Sequence, residues 1–453
     1  MLLSFQKYIN YKTPTATLAF FRLAFGLMMA FSLIRFTAYG WIEKLYILPQ
    51  YRFSYYGFSD LPRLGNYTYL LFLICFLSAL FVAVGYKYKL AIITFFISFT
   101  YIELLDKTTY LNHYYFVSVV AFILIFIPAN RFFSVDAYKN PKLRSQFIPK
   151  WNVDILKIII AIVYIYAGLA KINSDWLLEA MPLKIWLPGQ SDLPIIGSYL
   201  NKNWVHYLFS WTGMVYDLTI PFLLLYKPTR YFAFFLVVIF HVLTKILFPI
   251  GIFPYVMIIS SLLFFDPTFH NQVLKYISGI FKIPFTKFQN NQLFTPTLFT
   301  KIGNAVVLFF IAIQIIFPFR YLLYKEELFW TEQGYRFSWR VMLMEKAGYT
   351  QFTVVDSKTN EKIKVDNSHF LTEFQIKQMA FQPDFILEYA HILKKYYLKN
   401  GVNNPKVFAE SYVALNGRLS RFYIDPKVDL AQEKESFKNK NWILPFNDII
   451  YGF

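Results

Sequence analysis

Lys171 closes the apolar part of YIYAGLAKINSDW (164–176), the segment of this chain best suited to proton chemistry. A lysine taken out of water has its pKa lowered and can stand as a neutral amine, the form that works as base or nucleophile. The bland alternative is a lysine that snorkels to lipid headgroups. Against it, Asn173, Asp175 and Trp176 follow at once, so the lysine enters a polar, aromatic stretch instead of a simple basic flank. His113 in DKTTYLNHYYF (106–116) is the second candidate, with Asn112 beside it to fix a substrate or orient the ring. Imidazole titrates near neutral pH and suits proton transfer, while the competing reading is an interfacial histidine that only hydrogen-bonds. His241 lies mid-run in VVIFHVLTKILF, either packed towards a helix bundle or lining a polar cavity. Asp217 in VYDLTIPF and Glu103 in YIELLDK pose the same choice, because ionisable groups at membrane depth are costly.

Other chemistries lack their residues. HxxxH and CxxC spacings and dense carboxylate clusters are missing, so no metal is expected. GxxxxGK, GxGxxG and GxSxG are missing too, which argues against ATP-driven chemistry, Rossmann cofactors and a nucleophile elbow. Cys75, the single cysteine, sits inside LLFLICFLSALF and builds no intrachain disulfide. What remains is base chemistry on a lipophilic substrate that reaches Lys171 through a lipid bilayer.

The scaffold must hold these polar groups at membrane depth. Of 453 residues, 57% are hydrophobic, 21% aromatic and 16% charged, with a mean hydropathy of +0.40, too apolar for a soluble chain of several domains. The formal charge of +18 is spread over short loops between apolar runs, where headgroups and topology account for it and no nucleic-acid partner is expected. A bilayer core takes about 20 apolar residues per helix. Runs at 15–38, 67–86, 90–105, 114–128, 153–170, 206–226, 231–248, 250–265 and 298–318 give about nine spans, the third, fourth and eighth being short. The opening MLLSFQKYINYKTPT has no signal-peptide pattern, so the first run is expected to stay as a span. Counted with the N-terminus inside, inner segments hold eleven basic residues against seven outside, which favours that orientation. His113, Lys171 and everything after the last span then share the extracytoplasmic face.

After Tyr321 the spans stop and polar residues rise. The expectation is a polytopic α-helical membrane domain over 1–320, carrying the catalytic groups, followed by an extracytoplasmic soluble α+β domain over 321–453. Alternation at 351–356 and 362–366 around SKTNE predicts a β-hairpin. Helical spacing at 383–398, stopped by Asn400-Gly401, predicts a helix. VFAESYVAL reads as a strand and RFYIDPKVDL as a loop.

Taken in order, DKTTYLNHYYF, ANRFFSVDA, AGLAKINSDW, LFPIGIFPYVMIISSLLFF, QGYRFSWRVM, LNGRLSRFYIDPKVDL and NWILPF span about 106–445. They resemble the blocks of the vitamin K-dependent γ-glutamyl carboxylase family, in a bacterial form. That resemblance implies a multi-pass enzyme, in the inner membrane of a bacterium, that oxidises reduced vitamin K (the hydroquinone) with O2 to the 2,3-epoxide. The base so generated removes a γ-proton from glutamate in a protein or peptide, and the carbanion adds CO2. Lys171 matches the base that deprotonates the hydroquinone, and His113 the residue that assists the carbanion and CO2 step, with Asn112 at its side. His241 matches a histidine near the quinone. Tyr110 and Trp176 fall in the matching blocks as substrate contacts, as do Tyr335 and Trp339 in the soluble domain. The chain departs from mammalian members at Tyr110, where they carry tryptophan, and near Arg320 and Tyr321, where they carry histidine. Its single cysteine also forbids their inter-loop disulfide. Epoxidation without protein carboxylation is therefore one alternative, and a non-enzymatic transporter or lipid-binding protein is another, since intramembrane polar residues also mark pathways.

Overall fold

The structure, a computed structural model, describes residues 8, 11–282, 285 and 298–452; Lys7, counted above among the inner basic residues, lies outside them. Among the described residues ten helices of nine residues or more precede the C-terminal half: α1 Ala16–Ala38, α2 Tyr67–Val84, α3 Tyr88–Leu105, α4 Asn112–Phe126, α5 Trp151–Ala170, α6 Asn203–Leu225, α7 Arg230–Leu247, α8 Phe253–Ser261, α9 Pro267–Ile280 and α10 Leu298–Ile316. Among the described residues seven helices are long and apolar enough to cross a membrane: α1, α2, α3, α5, α6, α7 and Lys301–Leu323, which continues α10. Asn112–Phe126 and Phe253–Phe264 are the shorter apolar helices, at the fourth and eighth predicted runs. The third run, short by hydropathy, extends to Tyr88 and reaches full length.

Facing is set by side-chain periodicity. On α7 the exposed apolar residues Phe232, Phe235, Ile239, Val242 and Ile246 recur at helical spacing, while Ala233, Val237 and His241 are buried. One stripe is thus suited to lipid and the other packs inward, carrying His241 into the bundle. Polar contacts identify the two ends. At one end Asp136 accepts from the backbone N–H groups of Lys87 and Tyr88 at 2.8 and 3.0 Å, and Arg230 meets Asp266 at 3.3 Å. At the other end Lys107 meets Asp384 at 2.8 Å and Arg418 meets Asp175 at 2.7 Å. The N-terminus of α4 and the C-terminus of α5 therefore emerge at the end that carries the C-terminal half, which is the shared face that helix parity predicts.

Helix α9 falls outside the predicted elements because His270, Asn271, Gln272 and Lys275 make it too polar for a span. It packs along α1, where His270 lies 3.2 Å from Thr17 Oγ1.

The short strands β1 Lys12–Pro14 and β2 Phe147–Pro149 pair antiparallel at the first end. The C-terminal half is built on β3 Lys346–Val355, β4 Lys362–Lys364, β5 Lys406–Leu415 and β6 Arg421–Phe422, an antiparallel sheet in the order β4-β3-β5-β6. The hairpin β3–β4 forms as its alternation predicts, but β4 stops at Lys364 because Asp366 caps the turn Asn367–His369. Helix α11 Glu373–Met379 opens with a Thr372–Gln375 capping box. Helix α12 Pro383–Lys399 puts Phe385, Ile386, Tyr389, Ala390 and Leu393 into one core with Phe352, Val354, Val407 and Ala409 of β3 and β5. Gly401, at φ +91°, follows α12 where the Asn-Gly signal placed the stop.

Candidate active site

Helices α5 and α6 approach unusually closely at one residue. A Cβ on Gly168 would stand 2.8 Å from Leu218 Cδ2 and 3.0 Å from Leu218 N, so a side chain there would push the helices apart. Small residues of this kind let helix backbones meet in membranes. One turn further on, Lys171 Nζ donates to Asp217 Oδ2 at 2.7 Å and to Ala167 O at 3.2 Å. Both side chains are 7% exposed. The lysine is therefore not lone: Asp217, ambiguous in sequence, is its partner. A buried ammonium needs such a carboxylate in place of lost hydration, and the same bond gives its proton a second position.

The polar residues after Lys171 have defined tasks. Asn173 Oδ1 accepts from Trp176 N at 2.9 Å and caps the turn Ser174–Leu177. Asp175 takes a two-pronged bond from Arg418, 2.7 Å on each prong, and a third from Asn416 at 2.8 Å, which ties this turn to the C-terminal half. Trp176 is fixed through Nε1 on Ser210 O at 2.8 Å, with its ring centroid 5.3 Å from Lys171 Nζ.

Lys171, Asp217, Trp176, Tyr164 and His241 line one cavity with about 720 Å³ of space between its walls. Apart from Thr244, the remaining walls are apolar, among them Phe209, Phe240, Phe253 and Met257, with Val341 and Met342 reaching in from the C-terminal half. His241 Nε2 is 2.9 Å from Tyr164 OH. His113 is not a wall of this cavity. Its ring lies 6.0 Å from that of Phe253, whose other neighbour is His241 at 5.6 Å, so one phenyl ring separates the two histidines. Nε2 of His113 is buried and has no hydrogen-bond partner among the described residues. It faces Gly251, where a Cβ would stand 3.6 Å from Nε2 and 3.8 Å from Arg35 Nη2; at φ +62° that position favours glycine in any case.

Asn112 and Tyr110 belong to a bridge between the halves. Tyr110 OH donates to Asn112 Oδ1 at 2.9 Å and accepts from Phe337 N at 2.8 Å, while Asn112 Nδ2 donates to Arg340 O at 2.9 Å. Trp339 is wholly buried in the core of the membrane half, stacked on Tyr115 at 4.8 Å. Tyr335 packs on the C-terminal core near Phe329. Neither lines the cavity; Val341 and Met342, two and three residues beyond Trp339, do. Glu103 lies away from it, within Coulomb range of Tyr46, Tyr55 and Tyr114.

Electrostatics lock the halves together beside this bridge. Lys107 contacts Asp384 at 2.8 Å and Glu388 at 3.1 Å, and Arg336 contacts Asp384 at 2.7 Å. Burial pulls Lys107 down, but the two carboxylates hold it above an ordinary lysine. Burial pushes Asp384 up, and Arg336 with Lys107 overcomes this to hold it well below the usual carboxylate range. Among the described residues no group of three or more His, Cys, Asp or Glu side chains stands together as a metal would require.

The family model of the HTTM domain matches residues 10–269. A second model, described as Vitamin K-dependent gamma-carboxylase, lumenal domain, matches residues 299–449. No solved structure matches the chain.

Proposed function

The chain belongs to the vitamin K-dependent γ-carboxylase family, and from that premise we propose that it couples O2-dependent epoxidation of a vitamin K hydroquinone to γ-carboxylation of glutamate, in a protein or peptide, by CO2. The observation that carries this reading is the buried Lys171–Asp217 pair in a mostly apolar cavity at membrane depth. Aromatic walls suit a flat quinone ring, and few but convergent polar groups suit its hydroxyls. The reduced quinone supplies, after deprotonation and reaction with O2, the strong base that takes the glutamate γ-proton.

The chain's own part begins with the proton on Lys171 Nζ, which passes to Asp217 Oδ2 along their 2.7 Å bond. The neutral amine then takes the hydroquinone hydroxyl proton, leaving an ammonium and a protonated carboxyl with one net positive charge beside the quinolate. Tyr164, His241 and Thr244 are the remaining polar walls that can orient the ring. Val341 and Met342 cover the cavity and keep water from a base that would otherwise be quenched. His113 Nε2, without a hydrogen-bond partner among the described residues, is suited to proton transfer at the carbanion and CO2 step, with Asn112 and Tyr110 positioning the loop before it. We assign the catalytic helices to 1–320 and the soluble domain to 321–453, both sites lying on the extracytoplasmic face.

The test gives purified protein in detergent a reduced vitamin K, O2, labelled bicarbonate and a glutamate peptide, and measures epoxide and peptide-bound label separately. Epoxide with label is the expected result. Epoxide alone reduces the activity to hydroquinone oxygenation, and neither product from folded, quinone-binding protein refutes the enzyme.

A further inference from the structure

A second cavity, with about 1100 Å³ between its walls, opens between the two halves on the face that carries the active site. It shares no wall residue with the first cavity, yet both are walled by one segment: Gly334, Arg336 and Phe337 border the second, Val341 and Met342 the first. Four cations border the second cavity, Lys107, Arg320, Arg336 and Lys440. Three are already matched by carboxylates: Lys107 and Arg336 by Asp384, and Lys440 by Glu435 at 2.8 Å.

Arg320 is different. Its Nη1 donates to Phe317 O at 3.1 Å, its Nη2 donates to Arg336 O, and its guanidinium lies over the Phe317 ring at 4.0 Å. Among the described residues no carboxylate lies within ion-pair distance of it. A guanidinium has five donors, and carbonyl oxygens take two of them here without neutralising the charge. The groove therefore presents a directional cation that the fold leaves unmatched.

Its rim is aromatic. Tyr56 and Phe437 are both exposed, with ring centroids 4.8 Å apart, and exposed aromatic pairs of this kind are typical anchors for a polypeptide partner. Phe337, in the wall, stands 4.9 Å from both Tyr110 and Tyr115, the residues on either side of Asn112 and His113.

We propose that this groove receives an extended polypeptide bearing glutamate, and that Arg320 holds one of its carboxylates in a two-pronged bond. The inference rests on the proposed carboxylation, because it supplies that reaction with the docking path for its protein substrate. A carboxylate held at Arg320 leaves neighbouring residues of the same peptide next to Phe337 and the Tyr110–His113 stretch. Arg320 thereby selects acidic sequence without itself touching the reacting carbon.

The test uses full-length protein in nanodiscs and a fluorescent peptide of several glutamates, against the same peptide with glutamine throughout. Charge-assisted bonds of this type are worth roughly tenfold to a hundredfold in affinity. Wild type should prefer the glutamate peptide by at least about tenfold, Arg320→Gln should bind both peptides alike, and Arg320→Lys should keep part of the preference because it keeps charge but loses the fork. Phe437→Glu, on the exposed rim, should weaken both peptides by removing an aromatic anchor, and the glutamate one more because it adds a like charge, whatever the fate of the Arg320 variants. Undiminished preference in folded Arg320→Gln overturns the proposal. So does a loss in that variant of affinity for anionic lipid with peptide binding intact, which would make Arg320 a headgroup contact. Epoxide formation by wild type given reduced vitamin K, O2 and the glutamate peptide is followed in parallel; its absence refutes the proposed enzyme and leaves the peptide comparison to decide the groove.

Discussion

The Lys171–Asp217 pair should behave as a unit, so removing one member should cost far more than removing both. Nζ and Oδ2 are 2.7 Å apart and both side chains are 7% exposed. At an effective dielectric near 20 that separation is worth about 6 kcal/mol of attraction, against a dehydration penalty of several kcal/mol per ion. Asp217→Leu strands an ammonium among apolar walls, and Lys171→Met strands a carboxylate there. Each should lower stability by about 3–5 kcal/mol. The double variant buries no charge and should lie within about 1 kcal/mol of wild type, or above it. SDS-driven unfolding in mixed micelles, read by tryptophan fluorescence, measures all four proteins; Trp176, stacked near Nζ, is a local reporter. Epoxide formation should be lost in all three variants, and a small exogenous amine should partly restore Lys171→Ala. Additive losses in the double variant would refute the buried pair. Full epoxide formation by Lys171→Met would refute the base.

Three further outcomes test the surroundings. Tyr164→Phe removes the hydroxyl 2.9 Å from His241 Nε2; Nδ1 already has no partner among the described residues, so the buried ring is left unbonded and unfolding should come about 1–3 kcal/mol sooner. Asp384→Asn tests the lock between the halves: the folded carboxyl is held below its ordinary value of 3.8, so its stabilisation is present above that pH and lost as pH falls below it. The gap in melting temperature between variant and wild type should be open at neutral pH and narrow progressively below pH 3.8. Arg418→Ala leaves Asp175 buried with, among the described residues, only Asn416 as a side-chain partner; it should cost about 3 kcal/mol and expose the following loop to limited proteolysis, and Arg418→Lys should recover only part because it cannot form both prongs.

How much of this could be read from the residues depends on the range of the interaction. The spans are legible because a bilayer demands long apolar runs, and the β3–β4 hairpin and α12 are legible because alternation and turn residues act over a few positions. Lys171 is conspicuous for the same local reason. Its partner is not. Asp217 lies 46 residues away, and VYDLTIPF reads alike whether the carboxylate faces lipid, loop or bundle; the pairing is set by the close approach of Gly168 to Leu218. His113 was legible as a candidate, whereas the phenyl ring of Phe253 between it and His241 depends on how α8 packs. The segment 334–343 hid its shape for another reason. Phe337, Trp339 and Met342 take φ of +58°, +59° and +53°, a region that bulky residues rarely adopt, so residue type predicts the opposite of what tertiary packing imposes. That is why Trp339, conspicuous as an aromatic, is a core residue and Tyr335 packs half-buried on the C-terminal core, while Val341 and Met342 reach the cavity.

The strained segment also explains why the two cavities are separate. In the proposed reaction the quinone-derived base must be kept from water, yet its target arrives on a soluble polypeptide. A wall that is apolar on one side, through Val341 and Met342, and polar on the other, through Arg336, meets both needs if it yields only when substrate is seated. Backbone held in such conformations costs about 1–3 kcal/mol per residue, and here Trp339, stacked on Tyr115 inside the membrane half, holds it in place. Trp339→Ala should release that hold: the segment should become accessible to hydrogen exchange, and epoxide should form without matching peptide label as water reaches the base. Protection of 334–343 equal to wild type would show that the segment is held by its other contacts, the Tyr110–Phe337 bond first among them.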